Sequence, residues 1–408
     1  MELKKYKLGE IAEIYNGSTP STKEFDNYDG NIVWATPKDL SDQNSKYFYQ
    51  GSRNITQKGF DSCSTQLIPA NNILMSSRAP IGLFAINKVD CCTNQGFKNI
   101  VLDKKITDVD FMYYFLKYHV KEIEALGSGT TFKEVSKTSF EKYEISIPSL
   151  DNQQKIASVL SALDDKSALN RRMNAKLEQM AKRLYDYLFV QFDFPNENGK
   201  PYKSSGGRME YNEVLKREIP AGWEVKSLGE VCDFPIERVS DKDISEKLYV
   251  PIEVIPRNEM SFSDTANIEK AASGLCSFSK RSILLSNRRV YFHKVCIAPF
   301  EGITRDTVII INSKDLNNLG FIYQIVNSNH FIDYATLNSY GSEQPVLSTP
   351  TVQDYKFVYP NNGIDKIYSE RVDGIINKVL KNNLEIRKLT TLRDRLLPLL
   401  MNGQVEVK

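Results

Sequence analysis

"NAKLEQMAKRLYDYLF" (Asn174–Phe189) and "IRKLTTLRDRLLPLLM" (Ile386–Met401) stand 212 residues apart in one chain of 408, and they align without a gap. The same offset pairs "SFEKYEISIP" (Ser139–Pro148) with "TVQDYKFVYP" (Thr351–Pro360). Identities in this frame include Tyr143/Tyr355, Pro148/Pro360, Lys166/Lys378, Asn170/Asn382, Lys176/Lys388, Leu177/Leu389, Arg183/Arg395, Leu184/Leu396 and Leu188/Leu400. Upstream the offset drifts: Leu8-Gly9-Glu10 meets Leu228-Gly229-Glu230 at 220, and "NILMSSR" meets "SILLSNR" at 210. A repeat on this scale decides the architecture before any single motif does. Insertions and deletions fall inside two lobes, while the segments after the lobes keep their length.

Each of those segments reads as one long helix. Counting from Ile156, the heptad a positions are Ile156, Leu163, Asn170, Leu177 and Leu184, and the d positions are Val159, Lys166, Met173, Met180 and Tyr187. In the second copy a falls on Tyr368, Ile375, Asn382, Leu389 and Leu396, with Leu392 and Leu399 among the d positions. An apolar repeat every 3.5 residues predicts a coiled coil, and a buried Asn at a fixes its register and partner. Asn170 and Asn382 are therefore expected to meet, with Leu177, Leu184, Leu389 and Leu396 as the other pairing residues. Two surface helices, each packed on its own lobe, would explain the apolar stripe but not the matched polar breaks. At about 1.5 Å per residue, thirty-odd residues make a rod of roughly 50 Å. Antiparallel rods put a lobe at each end; parallel rods put both at one end. The Gly/Ser/Asn/Pro-rich stretch Gln191–Pro220 reads as an exposed connection whose length serves either.

The composition, 41% hydrophobic and 25% charged, is that of a soluble globular protein of two or three domains. No apolar run approaches the 18 or so residues that span a bilayer, and "MELKKYKLGE" lacks a signal-peptide core, so a cytoplasmic protein is expected. The six cysteines show no CxxC spacing and read as core fillers, and three scattered histidines suggest no metal site. Residues 1–150 carry 18 basic and 18 acidic side chains and residues 222–360 carry 14 and 17, so neither lobe binds nucleic acid by bulk charge.

The lobes mix strands and helices. Strands are expected at "NIVWAT", "NILMSS", "GLFAIN" and "KNIVL", then at "KLYVPIEVI", "SILLS", "KVCIAP" and "TVIIIN", with "YEISIP" and "YKFVYP" closing the lobes. One helix per lobe is expected, Asp108–Leu126 with Asp108 as N-cap and Gly127 as its stop, and Leu319–Leu337. Phosphate loops, zinc-protease motifs, nucleophile elbows and Gly-rich cofactor fingerprints are all missing, so catalytic residues and metal ligands are assigned to none. Polar side chains gather instead in the turns. The candidates are Arg78, Asn94, Gln95, Ser128, Thr130, Thr131 and Lys133 in the first lobe, and Arg288, Arg289, Tyr291, Arg305, Ser342 and Gln344 in the second. Arg, Asn and Gln can pair bidentately with base edges, and Ser, Thr and Lys suit phosphates. Arg78 and Arg288 stand out because each follows a matching strand.

The order lobe, helix, lobe, helix resembles the specificity subunit of type I restriction–modification systems. The resemblance rests on "IPAGWEVKSLGE" opening the second lobe, on the helix endings "KLEQMAKRLYDYLF" and "KLTTLRDRLLPLLMNGQV", and on the linker "FDFPNENGKPYKSSGGRMEYNEVLKREIPAGW". It implies an α+β fold in which two pseudo-repeated α/β target recognition domains are joined by two long helices pairing as an antiparallel coiled coil. The implied parts are recognition domains at 1–150 and 222–361, helices at 151–190 and 362–408, and a linker at 191–221. Each domain would read one half of a bipartite site in double-stranded DNA as part of host defence. Partners would be two modification (methyltransferase) subunits and translocating restriction subunits, with S-adenosylmethionine held by the methyltransferase and no cofactor in this chain. Two other readings fit the residues: an enzyme with duplicated lobes, its site at Cys91-Cys92 or near Arg78 and Arg288, and a non-DNA scaffold organised by the coiled coil.

Overall fold

The structure is a computed structural model, which describes residues 2–42, 45–129, 133–240, 244, 247–271 and 274–407. The chain forms two compact units, one of residues 1–168 with 389–408 and one of residues 169–388. Each long helix, Leu150–Tyr185 and Ile364–Met401, contributes its two ends to different units.

In the first unit a five-stranded sheet runs Ala12–Asn16, Phe97–Leu102, Ile73–Ser77, Ile81–Asn87, Tyr47–Phe48, and only the last pair is parallel. The second unit repeats its centre with Cys232–Asp233, Val308–Ser313, Ile283–Ser286 and Val295–Ile297, all antiparallel. The pleat explains the apolar runs, because alternate side chains serve opposite faces. Ile73 and Met75 enter the core built with the helices, while Leu74 enters a smaller one on the other face. Ile283, Leu285 and Leu284 divide in the same way. A strand pair closes each unit, Lys4–Lys7 with Glu144–Ile147 and Glu224–Ser227 with Lys356–Tyr359. Beside it the Leu-Gly-Glu glycines Gly9 and Gly229 pack against Glu141 and Gln353, where an added Cβ would sit 3.2 and 3.3 Å from the neighbouring Cβ.

Several sequence expectations need correction. Each single lobe helix is two: Val109–Tyr118 and Val120–Ala125 break at His119, and Leu319–Val326 and Asn329–Leu337 break where Ser328 caps the second. The apolar run had masked both breaks, although Asp108 caps as expected, accepting from Phe111 N at 2.9 Å. "KLYVPIEVI" is no strand: Pro251 turns the chain, and Val250 and Ile255 are buried in a side cluster. The connection after residue 190 is not simply exposed. Phe192 and Phe194 are buried, Phe194 stacks on Trp223 at 4.9 Å, and Met209–Asn212 pairs with Arg217–Pro220.

The helices pair antiparallel within the second unit. Asn170 donates to Glu385 Oε2 at 3.0 Å, Asn382 donates to Asn174 Oδ1 at 2.7 Å, and Tyr368 Oη donates to Ala181 O at 3.0 Å. In the first unit Arg393 Nη1 donates to Asp164 Oδ1 at 2.8 Å. Asn170 and Asn382 are both buried, yet each bonds a different residue and not the other. The heptad is real but its second line was misplaced. Buried residues recur four after every a position of the first helix, at Leu160, Ser167, Asn174, Ala181 and Leu188, and four after all but Leu389 in the second, at Val372, Val379, Ile386 and Leu400. Of the expected d residues, Met180 is 61% exposed and Lys166 is exposed like its counterpart Lys378, whereas Val159 packs on the core of the first unit. Ser167 and Ala181 are buried but small and carry little apolar signal, which is why the sequence hid them. Of the pairing residues, Leu177 and Leu184 pack on the core of the second unit and Leu396 on that of the first, while Leu389 is half-buried.

Candidate nucleic-acid interface

In both units the same frame brings the end of a central strand against a returning turn. Ser77 ends its strand, and its carbonyl accepts from Val135 N at 3.1 Å; in the second unit Asn287 O accepts from Leu347 N at 2.9 Å. The turn itself is clasped twice. Ser128 N donates to Glu134 O at 3.1 Å and Glu134 N to Ser128 O at 3.0 Å, and Tyr340 and Val346 exchange the matching bonds at 3.0 and 2.8 Å. Just beyond, Ser136 caps a short helix through Ser139 N at 3.1 Å, and Ser348 does so through Thr351 N at 3.2 Å. The paired clasps and Ser caps fall at the same 212-residue offset as the sequence repeat.

In the first unit this frame gathers Arg78, Asn94, Gln95 and Ser128. Ser77 N donates to Gly96 O at 2.7 Å, which lays the Asn94–Gly96 turn beside Arg78; a Cβ on Gly96 would be 3.7 Å from Arg78 Nε. Asn94 Oδ1 accepts from Gly96 N at 2.9 Å, and the Gln95 side chain bonds Thr19. Thr19 follows Gly17 and Ser18, a loop pressed on Thr93, where Ser18 N donates to Thr93 O at 2.9 Å. Lys133 is exposed at the foot of the turn. Thr130 and Thr131 lie outside the described residues.

The sequence reading missed Lys98 and Glu134. Lys98 is the second residue of the strand Phe97–Leu102, is buried, and donates to Glu134 Oε1 at 3.1 Å. Ser77 Oγ donates to the same oxygen at 3.4 Å, and Arg78 Nη1 stands 3.8 Å from Glu134 Oε2. A lysine inside an apolar strand was the available signal, because a buried ammonium needs a carboxylate partner.

In the second unit Arg288, Arg289, Ser342 and Gln344 come together on the equivalent turn. Arg289 N donates to Pro345 O at 3.0 Å, and its left-handed φ of 47° turns the chain sharply. Ser342 and Gln344 are exposed at the tip. Tyr291 is 49% exposed and packs edge-on against Phe292. Arg305 ends the strand Gly302–Arg305, two residues from Thr307, whose carbonyl accepts from Asn287 N at 3.0 Å. Its Nε is buried without a hydrogen-bond partner.

The cysteine pair offers poor chemistry for a site. Cys91 and Cys92 are fully buried, and burial pushes both thiols up to about 12, so neither is an effective nucleophile near neutral pH. Among the described residues no group of three or more His, Cys, Asp or Glu side chains could hold a metal ion, and no helix is long and apolar enough to cross a membrane.

A family model for the type I restriction modification DNA specificity domain matches residues 1–179 and again 220–389. The chain is 30% identical to the type I restriction enzyme MjaIX specificity subunit of Methanocaldococcus jannaschii, over 98% of this chain and 93% of that protein. It is 25% identical to the HindI specificity subunit of Haemophilus influenzae, over 98% and 99%. The fold resembles the crystal structure of a type I restriction-modification system S subunit from M. genitalium, with a TM-score of 0.57 and 15% identity over 98% of this chain and 96% of that one.

Proposed function

The chain belongs to the type I restriction-modification DNA specificity family, and we propose that each of its units reads one half of a bipartite, asymmetric site in duplex DNA. The observation that carries this reading is the frame found twice, a strand end followed by Arg78 or Arg288 and clasped to a polar turn, with unlike side chains on each copy. Like frames suit one kind of ligand, and unlike side chains suit two different half-sites. Arginine donates bidentately to guanine, and Asn94, Gln95 and Gln344 offer amides that suit adenine. Near-neutral units imply that other subunits share in neutralising phosphate.

In this reading two modification subunits dock on the helices and units, and the number of helical residues between the units sets the gap. Those subunits hold S-adenosylmethionine and flip the target adenine, while this chain, without catalytic residues of its own, places them over the right base. Restriction subunits complete the complex. The test is to exchange residues 1–150 for those of a relative, in the complex with the modification subunits. One half of the methylated motif should change and the other should stay; a change in both halves, or in neither, refutes the division of labour.

A further inference from the structure

We propose that Glu134 is a specificity-determining residue of the first unit, its carboxylate accepting a hydrogen bond from an exocyclic base amine, cytosine N4 or adenine N6. This rests on the DNA-reading function above and deepens it. The two frames share the backbone clasp, the cap and the arginine, but they differ where a buried strand residue meets a half-buried turn residue. Where the first unit has Lys98 and Glu134, the second has Ile309 and Val346 by the register of the matched strands and turns. The apolar pair shows that the frame closes without an ion pair. Burying the Lys98 ammonium costs desolvation that its ion pair with the half-exposed Glu134 seldom more than offsets relative to apolar residues, so stability alone is a weak reason for the pair.

The geometry supplies another reason. The Lys98 side chain is 6% exposed and that of Glu134 is 38% exposed, so the ammonium sits behind a carboxylate that faces outward. Oε1 is engaged inward by Lys98 and Ser77. Oε2 stands 3.8 Å from Arg78 Nη1, too far for a hydrogen bond, and keeps lone pairs for a ligand. A bare carboxylate would be repelled by DNA phosphates, but the cations of Lys98 and Arg78 offset its charge. In the major groove carboxylates accept from cytosine N4 or adenine N6, and arginine donates to guanine O6 and N7. The neighbours Arg78 and Glu134 thus offer complementary chemistry to one base pair or to two adjacent ones. The Val346 side chain can accept nothing, and among the described residues no carboxylate pairs with Arg288.

The experiment uses the full chain with its modification subunits as wild type, Glu134→Gln and Glu134→Val, and maps methylated adenines across a genome. The preference at one position of the first half-motif should fall roughly 10- to 100-fold in the variants, the span of one good base contact, with the gap and second half unchanged. An unchanged first half overturns the proposal. So does an equal loss at every first-half position, because Glu134 then only holds Lys98 and Arg78. Should Glu134→Val fail to assemble, the isosteric Glu134→Gln decides, and loss of all methylation there overturns the proposal too. A wild-type complex without any bipartite motif overturns the specificity reading itself, and the proposal with it.

Discussion

The polar step in the helix seam of the second unit can be tested by a double-mutant cycle on Asn174 and Asn382. Asn382 donates to Asn174 Oδ1 at 2.7 Å, Asn174 donates to Asn383 Oδ1 at 3.4 Å, and all three side chains are buried. Asn174→Leu keeps the branching and heavy-atom count but leaves the Asn382 donor and the Asn383 acceptor unpaired, at a cost of about 2 kcal/mol, within the 1–3 usual for an orphaned buried group. Asn382→Leu should cost less, because the Asn382 Oδ1 is already buried without a partner and goes with the residue. The double variant should fall well short of the sum, with a coupling of roughly 1–2 kcal/mol, since no donor faces a lost acceptor. The chain has two tryptophans, Trp34 in the first unit and the buried Trp223 in the second, so a Trp34→Phe background lets fluorescence follow the second unit alone. In urea, with a slope of about 3 kcal/mol/M, Asn174→Leu should lower the midpoint by about 0.7 M. Strict additivity of the two single changes would refute the pairing.

Three further outcomes follow from the geometry. Arg78→Ala should weaken binding of the assembled complex by about 1–3 kcal/mol on DNA carrying the first half-motif, measured by fluorescence anisotropy, whereas equal loss on all sequences would make Arg78 a phosphate contact. Lys46 is buried, donates to Ser161 Oγ at 2.8 Å and pairs with Asp110 at 3.0 Å. Lys46→Met should therefore destabilise the first unit by roughly 2–4 kcal/mol, somewhat softened because Asp110 keeps contact with water, as read from Trp34 in a Trp223→Phe background. Burial pushes Glu178 from its ordinary 4.5 up to about 7. The stability of its protonated form is complete below pH about 4.5 and is lost as pH rises through about 7, at most roughly 3 kcal/mol. Glu178→Gln should flatten the fall in the Trp223 midpoint between pH 5 and pH 8. Some slope should remain from Glu259, raised by burial in the same direction, and an unaltered slope would refute the assignment.

The repeat was legible because its shared residues are the ones that geometry cannot spare. Ser136 and Ser348 cap helices, Gly9 and Gly229 admit a close neighbour, and Tyr143 and Tyr355 supply the carbonyls that accept from Leu8 and Leu228. The seam was misread at Ser167, Asn174 and Ala181, buried residues too small or too polar to stand out as an apolar stripe. The breaks at His119 and Ser328 were invisible because both sides of each break bury apolar residues, so the periodic signal ran on. At the site, Arg78 and Arg288 could be placed from the strands before them. Glu134 could not, since a carboxylate in a polar turn reads as solvated until the buried Lys98 beneath it is seen.

Bipartite recognition is tested by a genome-wide map of methylated adenine in cells expressing this chain with its modification subunits. One bipartite motif with two unlike halves and a fixed gap is expected. Methylation without a motif, or with a single uninterrupted or palindromic one, would contradict that expectation.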